Sequence, residues 1–161
     1  MPLHMAAQSQ PKHERRQAWL AVLAKASLAE LEAAWDVLDD KPAFRRLRPS
    51  ETGLVMLRGR IGGTGQPFNV GEMTMTRATV QLLDAAGAVS QAGFGYVAGR
   101  SARRAELVAL FDAMLQDPVR HEAVNAAVVA PLAMRQQAAE AARSAKVMAS
   151  KVDFFTMVRG E

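Results

Sequence analysis

The pattern of hydrophobic and polar residues divides the chain into three regions. Residues 12–40 carry apolar side chains at helical spacing, and residues 101–152 do so again. Between them, residues 52–61 alternate with the period of two that is typical of a strand, and two further strands begin at Phe68 and Gln91. Short turns join the strands. The pattern therefore predicts an α+β fold, in which a small antiparallel three-stranded meander packs with about five helices.

Local signals indicate where the helices begin. Ser27 followed by Glu30 forms a capping box, and Ser101 is placed to cap a helix that directly follows the last strand. Pro131 starts or kinks the final helix, which is predicted over 131–152. That helix is rich in alanine and poor in large apolar side chains, so we expect an arm that packs on another surface. Residues 44–49 are predicted to form a basic connector.

Glycine is concentrated in the strand region and predicts its turns. A hairpin turn is predicted at Gly62, Gly63 and Gly65. A phosphate-binding loop would continue with a lysine and a helix, whereas these glycines are followed by a predicted strand. The alternation changes parity near Gly71, which predicts a β-bulge there. Three methionines in the strands and most of the aromatic residues are expected in the core; the methionines are Met56, Met73 and Met75.

Arginine supplies most of the positive charge, which gives the chain a formal net charge of +4 and favours anionic partners. Two groups of arginines form a hypothetical anion-binding or partner-binding site. The first lies on the strands beside the glycine turn and the second lies at the start of the helix after Ser101: Arg58, Arg60 and Arg77, then Arg100, Arg103 and Arg104. A solvated basic helix start is an alternative interpretation of the second group.

The residue types needed for independent catalysis do not occur together in a known pattern. The chain has no cysteine, which excludes thiol nucleophiles, and its three histidines lack ligand spacing, so no metal site is predicted. Glu51 and Glu72 flank the glycine turn and could form a general acid/base pair. Surface carboxylates more often pair with arginines, and we expect Arg58 and Arg60 to be those partners.

The two ends of the chain differ in character. Residues 1–11 are predicted to be a flexible leader without the apolar segment of a signal peptide, and 12–152 a single α+β domain. No run approaches the length of a membrane span. The absence of cysteine fits a reducing cytoplasm, so a cytoplasmic protein is expected. Residues 153–161 form an apolar tail, predicted to dock on a surface through four side chains: Phe154, Phe155, Met157 and Val158.

Several of these segments resemble one bacterial family. They are Glu51-Thr-Gly-Leu-Val55, Arg60-Ile-Gly-Gly-Thr-Gly65, Gly71-Glu-Met-Thr-Met-Thr-Arg-Ala78, Tyr96-Val-Ala-Gly-Arg100 and Lys151-Val-Asp-Phe-Phe-Thr-Met-Val-Arg-Gly160. They are similar to the G subunit of the carbon–phosphorus lyase core complex, PhnG. The resemblance extends from about Arg16 to the end of the chain, and the tail and the glycine hairpin are its most specific parts.

The resemblance implies a role in alkylphosphonate catabolism. It implies an accessory subunit that acts with H, I and J subunits, in two copies per assembly, to form ribose 1-methylphosphonate 5-triphosphate from ATP and methylphosphonate. The complex uses ATP, and another subunit carries an iron–sulfur cluster with S-adenosylmethionine. No cofactor is expected on this chain alone, and the family provides no catalytic residue to carry over. No membrane or nucleic-acid partner is expected.

A different class of function remains open on the residues alone. A stand-alone basic module that binds a nucleotide or nucleic acid would also explain the positive charge. The end of the chain discriminates between the two hypotheses. An assembly subunit needs an apolar docking tail, whereas a nucleic-acid module would more typically end in basic residues.

Overall fold

The structure, a computed structural model, describes residues 10–150. The elements follow in the order α1 (Gln10–Lys25), α2 (Leu28–Asp36), β1 (Phe44–Arg60), a 3₁₀ turn (Ile61–Gly63), β2 (Pro67–Leu83), β3 (Val89–Ala98), α3 (Ala102–Gln116), α4 (His121–Val124), a π-helical turn (Asn125–Val129) and α5 (Ala130–Ala149). Residues 1–9 of the predicted leader and the whole predicted docking tail, 153–161, lie outside the described residues.

The sheet is an antiparallel meander in the order β1-β2-β3, and the predicted α+β fold is confirmed. The capping box of α2 also forms as expected: the Ser27 hydroxyl accepts from the Glu30 N–H, and the Glu30 carboxylate accepts from the Ser27 N–H. The structure differs at β1, which begins at Phe44, so the predicted basic connector over 44–49 is wrong. Phe44 packs against the core and Arg46 pairs with Glu106, and these contacts draw the segment into the sheet.

Within residues 10–150, helices cover only one face of the sheet. α3 lies directly on β2 and β3, and α1 and α2 pack against α3. All residues from 105 to 115 are buried, which makes α3 the central element of the molecule. Large, fully buried side chains come from every layer, among them Leu23, Leu31, Val80, Leu82, Val97, Leu107, Leu110, Phe111, Met114 and Leu115.

A buried carboxylate in α3 joins three elements. Asp112 is fully buried, and its oxygens accept from the Arg16 guanidinium at 3.1 and 2.7 Å and from the Trp19 indole at 3.0 Å. The same carboxylate accepts from the backbone N–H of Phe94 in β3 at 2.9 Å. A buried charge is tolerated when it is paired and hydrogen-bonded to this extent, and here it fastens α1 and β3 to α3.

Pro131 lies in the first turn of α5, in agreement with the prediction that it starts the final helix. The π-helical turn ends two residues before this proline, and α4, the turn and α5 follow one another without a break. A wide turn accommodates the proline ring and the missing N–H donor. Every residue from 137 to 150 is exposed, so the second half of α5 extends as an arm away from the described body of the protein.

Two glycines of β3 permit the close approach of α3. A β-carbon added to Gly93 would lie 1.9 Å from the carbonyl oxygen of Ala109, and one added to Gly95 would lie 2.0 Å from that of Ala105. Both neighbours are helix backbone, which cannot move aside as a flexible side chain could. The helix-to-sheet spacing therefore depends on the absence of a side chain at these two positions.

We predict that Gly95→Ala forces α3 away from β3 and lowers the free energy of unfolding by about 3 kcal/mol or more, beyond the usual cost of overpacking. The matched control is Gly53→Ala, because a β-carbon at Gly53 meets no heavy atom within 4 Å. Denaturant unfolding of both variants measures the effect. Equal stability of the two variants would contradict the close packing.

Candidate functional site: the β-ribbon and its arginines

The hairpin of β1 and β2 extends beyond the helical layer as a two-stranded ribbon. We call residues 51–77 the β-ribbon. Its register runs from Glu51 opposite Arg77 to Arg60 opposite Pro67, and no residue from 51 to 75 is buried. Because no helix covers either face, both faces of the β-ribbon are accessible in the described structure.

The tip of the β-ribbon is formed by the glycine turn. Gly62 and Gly63 have positive φ angles of 62° and 79°, which residues other than glycine rarely adopt. The N–H of Gly65 donates to the carbonyl of Ile61 at 3.0 Å, and Arg60 donates from Nη1 to the carbonyl of Gly65 at 2.9 Å. Arg60 therefore stabilises the turn and leaves part of its guanidinium for other contacts.

A bulge changes the register of the β-ribbon at the predicted place. Leu57 pairs with Gly71 and Arg58 with Asn69, so Val70 is the extra residue. Gly59 makes room for it, because a β-carbon at Gly59 would lie 2.8 Å from Cγ2 of Val70. The bulge thus brings an additional apolar side chain to the surface.

Apolar side chains are exposed along the β-ribbon, and the predicted core position of its methionines is wrong. Met56 is 50% exposed, while Met73 and Met75 are only partly buried. The helical layer ends near the buried Thr76, so no other described part of the chain covers the strands beyond it. Six large apolar residues are exposed in the β-ribbon: Leu54, Met56, Leu57, Ile61, Phe68 and Val70.

The carboxylates of the β-ribbon do not form the pairs predicted from the sequence. Glu51 pairs with Arg77, at 2.6 Å between Oε2 and Nη2, because the two residues face each other in the ladder. Glu72 lies opposite Met56, whereas Arg58 and Arg60 face Asn69 and Pro67. Glu51 and Glu72 project from opposite faces of the β-ribbon, so they are not placed to act together as a general acid and base.

Arg77 controls the charge state of Glu51. Its guanidinium donates two hydrogen bonds to Oε2 of Glu51, and these bonds, together with the positive charge, hold the pKa of that carboxyl below its ordinary value. The same contact raises the pKa of Arg77. The pair lies beside Tyr96 in a shallow depression on the outer face of the sheet, the face without helices. It is therefore a local ion pair on an exposed surface.

The three arginines at the start of α3 have different roles. Arg104 donates to the carbonyls of Ala24, Ala26 and Ala98, so it caps the end of α1 and is not available to an anion. Arg103 pairs with Glu106 and approaches Glu32. Arg100 is exposed and makes no hydrogen bond within residues 10–150. The structure therefore does not bring the six candidate arginines together as one site.

A groove beside the buried Asp112 network is the largest concave surface described. It lies between α1, β3 and α4, where the Trp19 ring meets His121 edge to face at 5.6 Å. Nδ1 of His121 lies 2.6 Å from the carbonyl oxygen of Leu115, which fixes the ring. The rim of the groove combines basic, acidic and neutral residues: His13, Arg15, Gln91, Gln116 and Glu122. Within residues 10–150, no group of three or more metal-binding side chains occurs, so the groove is not a metal site of the described residues.

Sequence reasoning missed the buried acidic residues of α3. Glu106 is 5% exposed and pairs with Arg46 and Arg103, while Asp112 is fully buried. A signal was present: these are the only two charged residues in an otherwise apolar stretch over 105–115. A helix that is apolar on all sides is buried on all sides, so its charged residues must find internal partners.

We predict that the pair between Glu51 and Arg77 stabilises the β-ribbon only while the carboxyl is ionised. Because the folded-state pKa of Glu51 lies below its ordinary value of 4.5, the stabilisation is present above that pH and is lost as the pH falls through the folded-state pKa. Glu51→Gln should lower the melting temperature at pH 7, and the difference from the parent chain should vanish in acid. Glu72→Gln is the matched control, because Glu72 forms no ion pair with any described residue. A pH-independent difference for Glu51→Gln would contradict the assignment.

Comparison with known proteins identifies the family to which this sequence is similar. A family model described as phosphonate metabolism protein PhnG matches residues 14–160, which include the β-ribbon, α3 and the C-terminal arm. A relative from Rhizobium meliloti (strain 1021) is 45% identical over 147 residues, and the alignment covers 91% of this chain and 90% of the relative. That relative is the alpha-D-ribose 1-methylphosphonate 5-triphosphate synthase subunit PhnG.

None of the helices within residues 10–150 combines the length and the apolar character needed to cross a membrane. The resemblance carried by the strand, turn and tail segments is confirmed by a match over nearly the whole sequence. The chain belongs to the PhnG family of phosphonate metabolism proteins.

Proposed function

We propose that this chain is an accessory subunit of an enzyme assembly that forms alpha-D-ribose 1-methylphosphonate 5-triphosphate from ATP and methylphosphonate. The observation that carries the proposal is the 45% identity to a subunit of that synthase over 91% of the chain. The partners would be the H, I and J subunits of the carbon–phosphorus lyase core complex, with two copies of this chain per assembly, in the cytoplasm.

The surface of the described protein supports a subunit role. The β-ribbon exposes large apolar side chains, among them Leu54 at 64% and Val70 at 60%. α5 exposes three more, Met134 before the arm and Val147 and Met148 within it. Exposed apolar surface of this extent is typical of proteins that bury it against a partner. The predicted docking tail follows directly after this arm.

The side chains of the described residues support a structural rather than a catalytic contribution. The acidic residues buried in α3 are engaged in ion pairs, and the two carboxylates of the β-ribbon lie on opposite faces. In this proposal the chemistry belongs to the partner subunits. ATP is used by the assembly, and the iron–sulfur cluster and S-adenosylmethionine are held by another subunit, so this chain alone carries no cofactor.

The alternative is a stand-alone module that binds a nucleotide or nucleic acid. The exposure of two aromatic rings supports it, and the internal pairing of the arginines beside them opposes it. Contrary to expectation, Phe94 and Tyr96 are 40% and 50% exposed, and exposed rings beside arginines suit stacked bases. Arg16 lies over the Phe94 ring at 5.4 Å, but it is paired with Asp112, and Arg77 beside Tyr96 is paired with Glu51. Both cations are neutralised internally, which favours the assembly subunit.

The docking role of the tail is tested by deletion. We expect removal of residues 154–161 to abolish co-purification of this chain with the other subunits of its operon, because the apolar anchor is lost. Removal of residues 2–9, which precede the family match, is the control and should leave the complex intact. A fully active complex that contains the tail-less subunit would refute the docking role.

The subunit should be inactive alone. Purified without partners, it should release no adenine from ATP above the buffer background, with or without methylphosphonate. The measurement is chromatographic detection of adenine, with the co-expressed complex as the positive control. Turnover that persists after exhaustive removal of partner subunits would contradict an accessory role.

A further inference from the structure

The two edges of the sheet differ in whether their backbone groups are covered. The outer edge of β3 is closed by α3 and its neighbours: Asp112 accepts from the N–H of Phe94, and Gln116 donates to the carbonyl of Ala92 at 2.9 Å. In the part of the chain that the structure describes, the outer edge of β1 has no such cover. Within residues 10–150, only β2 pairs with β1, and no side chain bonds to the backbone of residues 51–60. The backbone groups on that edge are therefore open to another chain.

The usual protection of an open edge is missing from the middle of β1. Natural edges carry charges, prolines or bulges that prevent pairing with other chains. Here Pro49 and a register shift between Arg48 and Glu51 protect one end, and Arg58 and Arg60 protect the other. Residues 52–57 contain neither charge nor proline, and their ladder with β2 is uninterrupted from Thr52 to Leu57. Such a segment invites aggregation unless a partner covers it.

A second copy of this chain is a poor occupant of the edge. β1 carries five arginines and one glutamate, with the arginines grouped at its two ends. An antiparallel pair of β1 strands centred near Leu54 would bring Arg60 of one copy opposite Arg48 of the other. A parallel pair would align identical arginines. Like charges placed opposite each other in a ladder are destabilising, so these two arrangements are disfavoured. A shift of one residue in the antiparallel pair would place Arg58 opposite Glu51, but that carboxylate is already paired with Arg77.

The arginines instead define the charge of a complementary strand. Arg46 is paired with Glu106, and Arg45 donates to the neutral Gln81. Arg48 and Arg58 form no ion pair within residues 10–150, and Arg60 bonds only to a carbonyl. An incoming strand with acidic residues at both ends would neutralise these charges. Its centre would be apolar or small, because Leu54, Val55 and Met56 flank its path.

Gly53 provides a place for a side chain of that strand. It lacks a side chain in the middle of the uncharged stretch, and a shallow depression lies on each face beside it. On the outer face the depression is bounded by Met75 and Tyr96, and on the other by Thr74 and Arg100. In strand addition, main-chain hydrogen bonds provide affinity and such depressions provide selectivity.

We propose that residues 51–60 of β1 accept an extended strand from a partner subunit, apolar at its centre and acidic at both ends, which adds a fourth strand to the sheet. This proposal rests on the proposed function, because it assumes that the chain belongs to an assembly. It specifies how the subunit is held: by a backbone ladder on the open edge of β1, with ionic contacts to Arg48, Arg58 and Arg60.

The first experiment is residue-resolved hydrogen exchange on the isolated chain and on the complex purified from its operon. In residues 52–57 alternate amides point to the open edge. We expect these to exchange at least about a hundredfold more slowly in the complex, as amides do when they join a ladder. If the chain assembles but these amides exchange equally fast in both samples, the strand proposal falls and the proposed function stands. If the chain joins no assembly, both fall.

The second experiment compares two single proline substitutions at adjacent positions of β1. The N–H groups of Leu54 and Val55 point to opposite edges, so one of Leu54→Pro and Val55→Pro breaks the ladder with β2 and lowers the melting temperature. The other removes only an outward N–H. We expect that variant to melt near the parent chain and to bind the partner subunits at least about tenfold more weakly. Parent-like binding by the well-folded variant would overturn the proposal.

The third experiment tests the charge of the occupant and the identity of its source. The double variant Arg58→Glu with Arg60→Glu should weaken binding about tenfold, whereas Arg15→Glu, an exposed control on α1, should not. If the double variant and the Arg15→Glu control bind the partner subunits equally well, the proposed acidic ends of the incoming strand are contradicted.

Deletion of residues 151–161 tests whether the occupant of the edge is a partner strand or this chain's own tail. Faster exchange of residues 52–57 in the deleted, isolated chain would show that the tail occupies the edge and would overturn the proposal.

Discussion

The close packing of α3 on β3 is the constraint on which the rest of the structure depends. Gly93 and Gly95 let the helix backbone come down to the strand, and this places the carboxylate of Asp112 within reach of the Phe94 N–H. The same carboxylate then holds Arg16 and Trp19 of α1. A side chain at either glycine would lift the helix and break the carboxylate's contacts with the strand.

The architecture could be predicted from the sequence because it depends on local signals. Alternation gave the strands, Ser27 and Ser101 marked two helix starts, and the parity change near Gly71 indicated the bulge. These features depend on neighbours a few residues apart. The family resemblance came from longer segments and is supported by the match to residues 14–160.

The errors share one physical cause, which is that tertiary contacts decide what is covered. The start of β1 was missed because Arg46 is held by Glu106, sixty residues away. Met56 and Tyr96 were expected in the core because they lie in predicted strands, although the helical layer leaves both exposed. Arg104 is indistinguishable in the sequence from its neighbour Arg103, yet only Arg104 meets the carbonyls at the end of α1. Alternation shows that two faces exist, but not how far a helix extends over them.

The exposed arm of α5 has a consequence for how binding strength is distributed. The thirteen exposed helical residues 137–149 span about 20 Å, and the β-ribbon is another extension of about 30 Å from the same body. If both are held at once, the second contact is intramolecular and benefits from a high effective concentration. Each contact then needs only modest affinity, and avidity makes the whole attachment durable. Partial engagement would remain reversible, which allows an incorrectly joined subunit to leave before the assembly is complete.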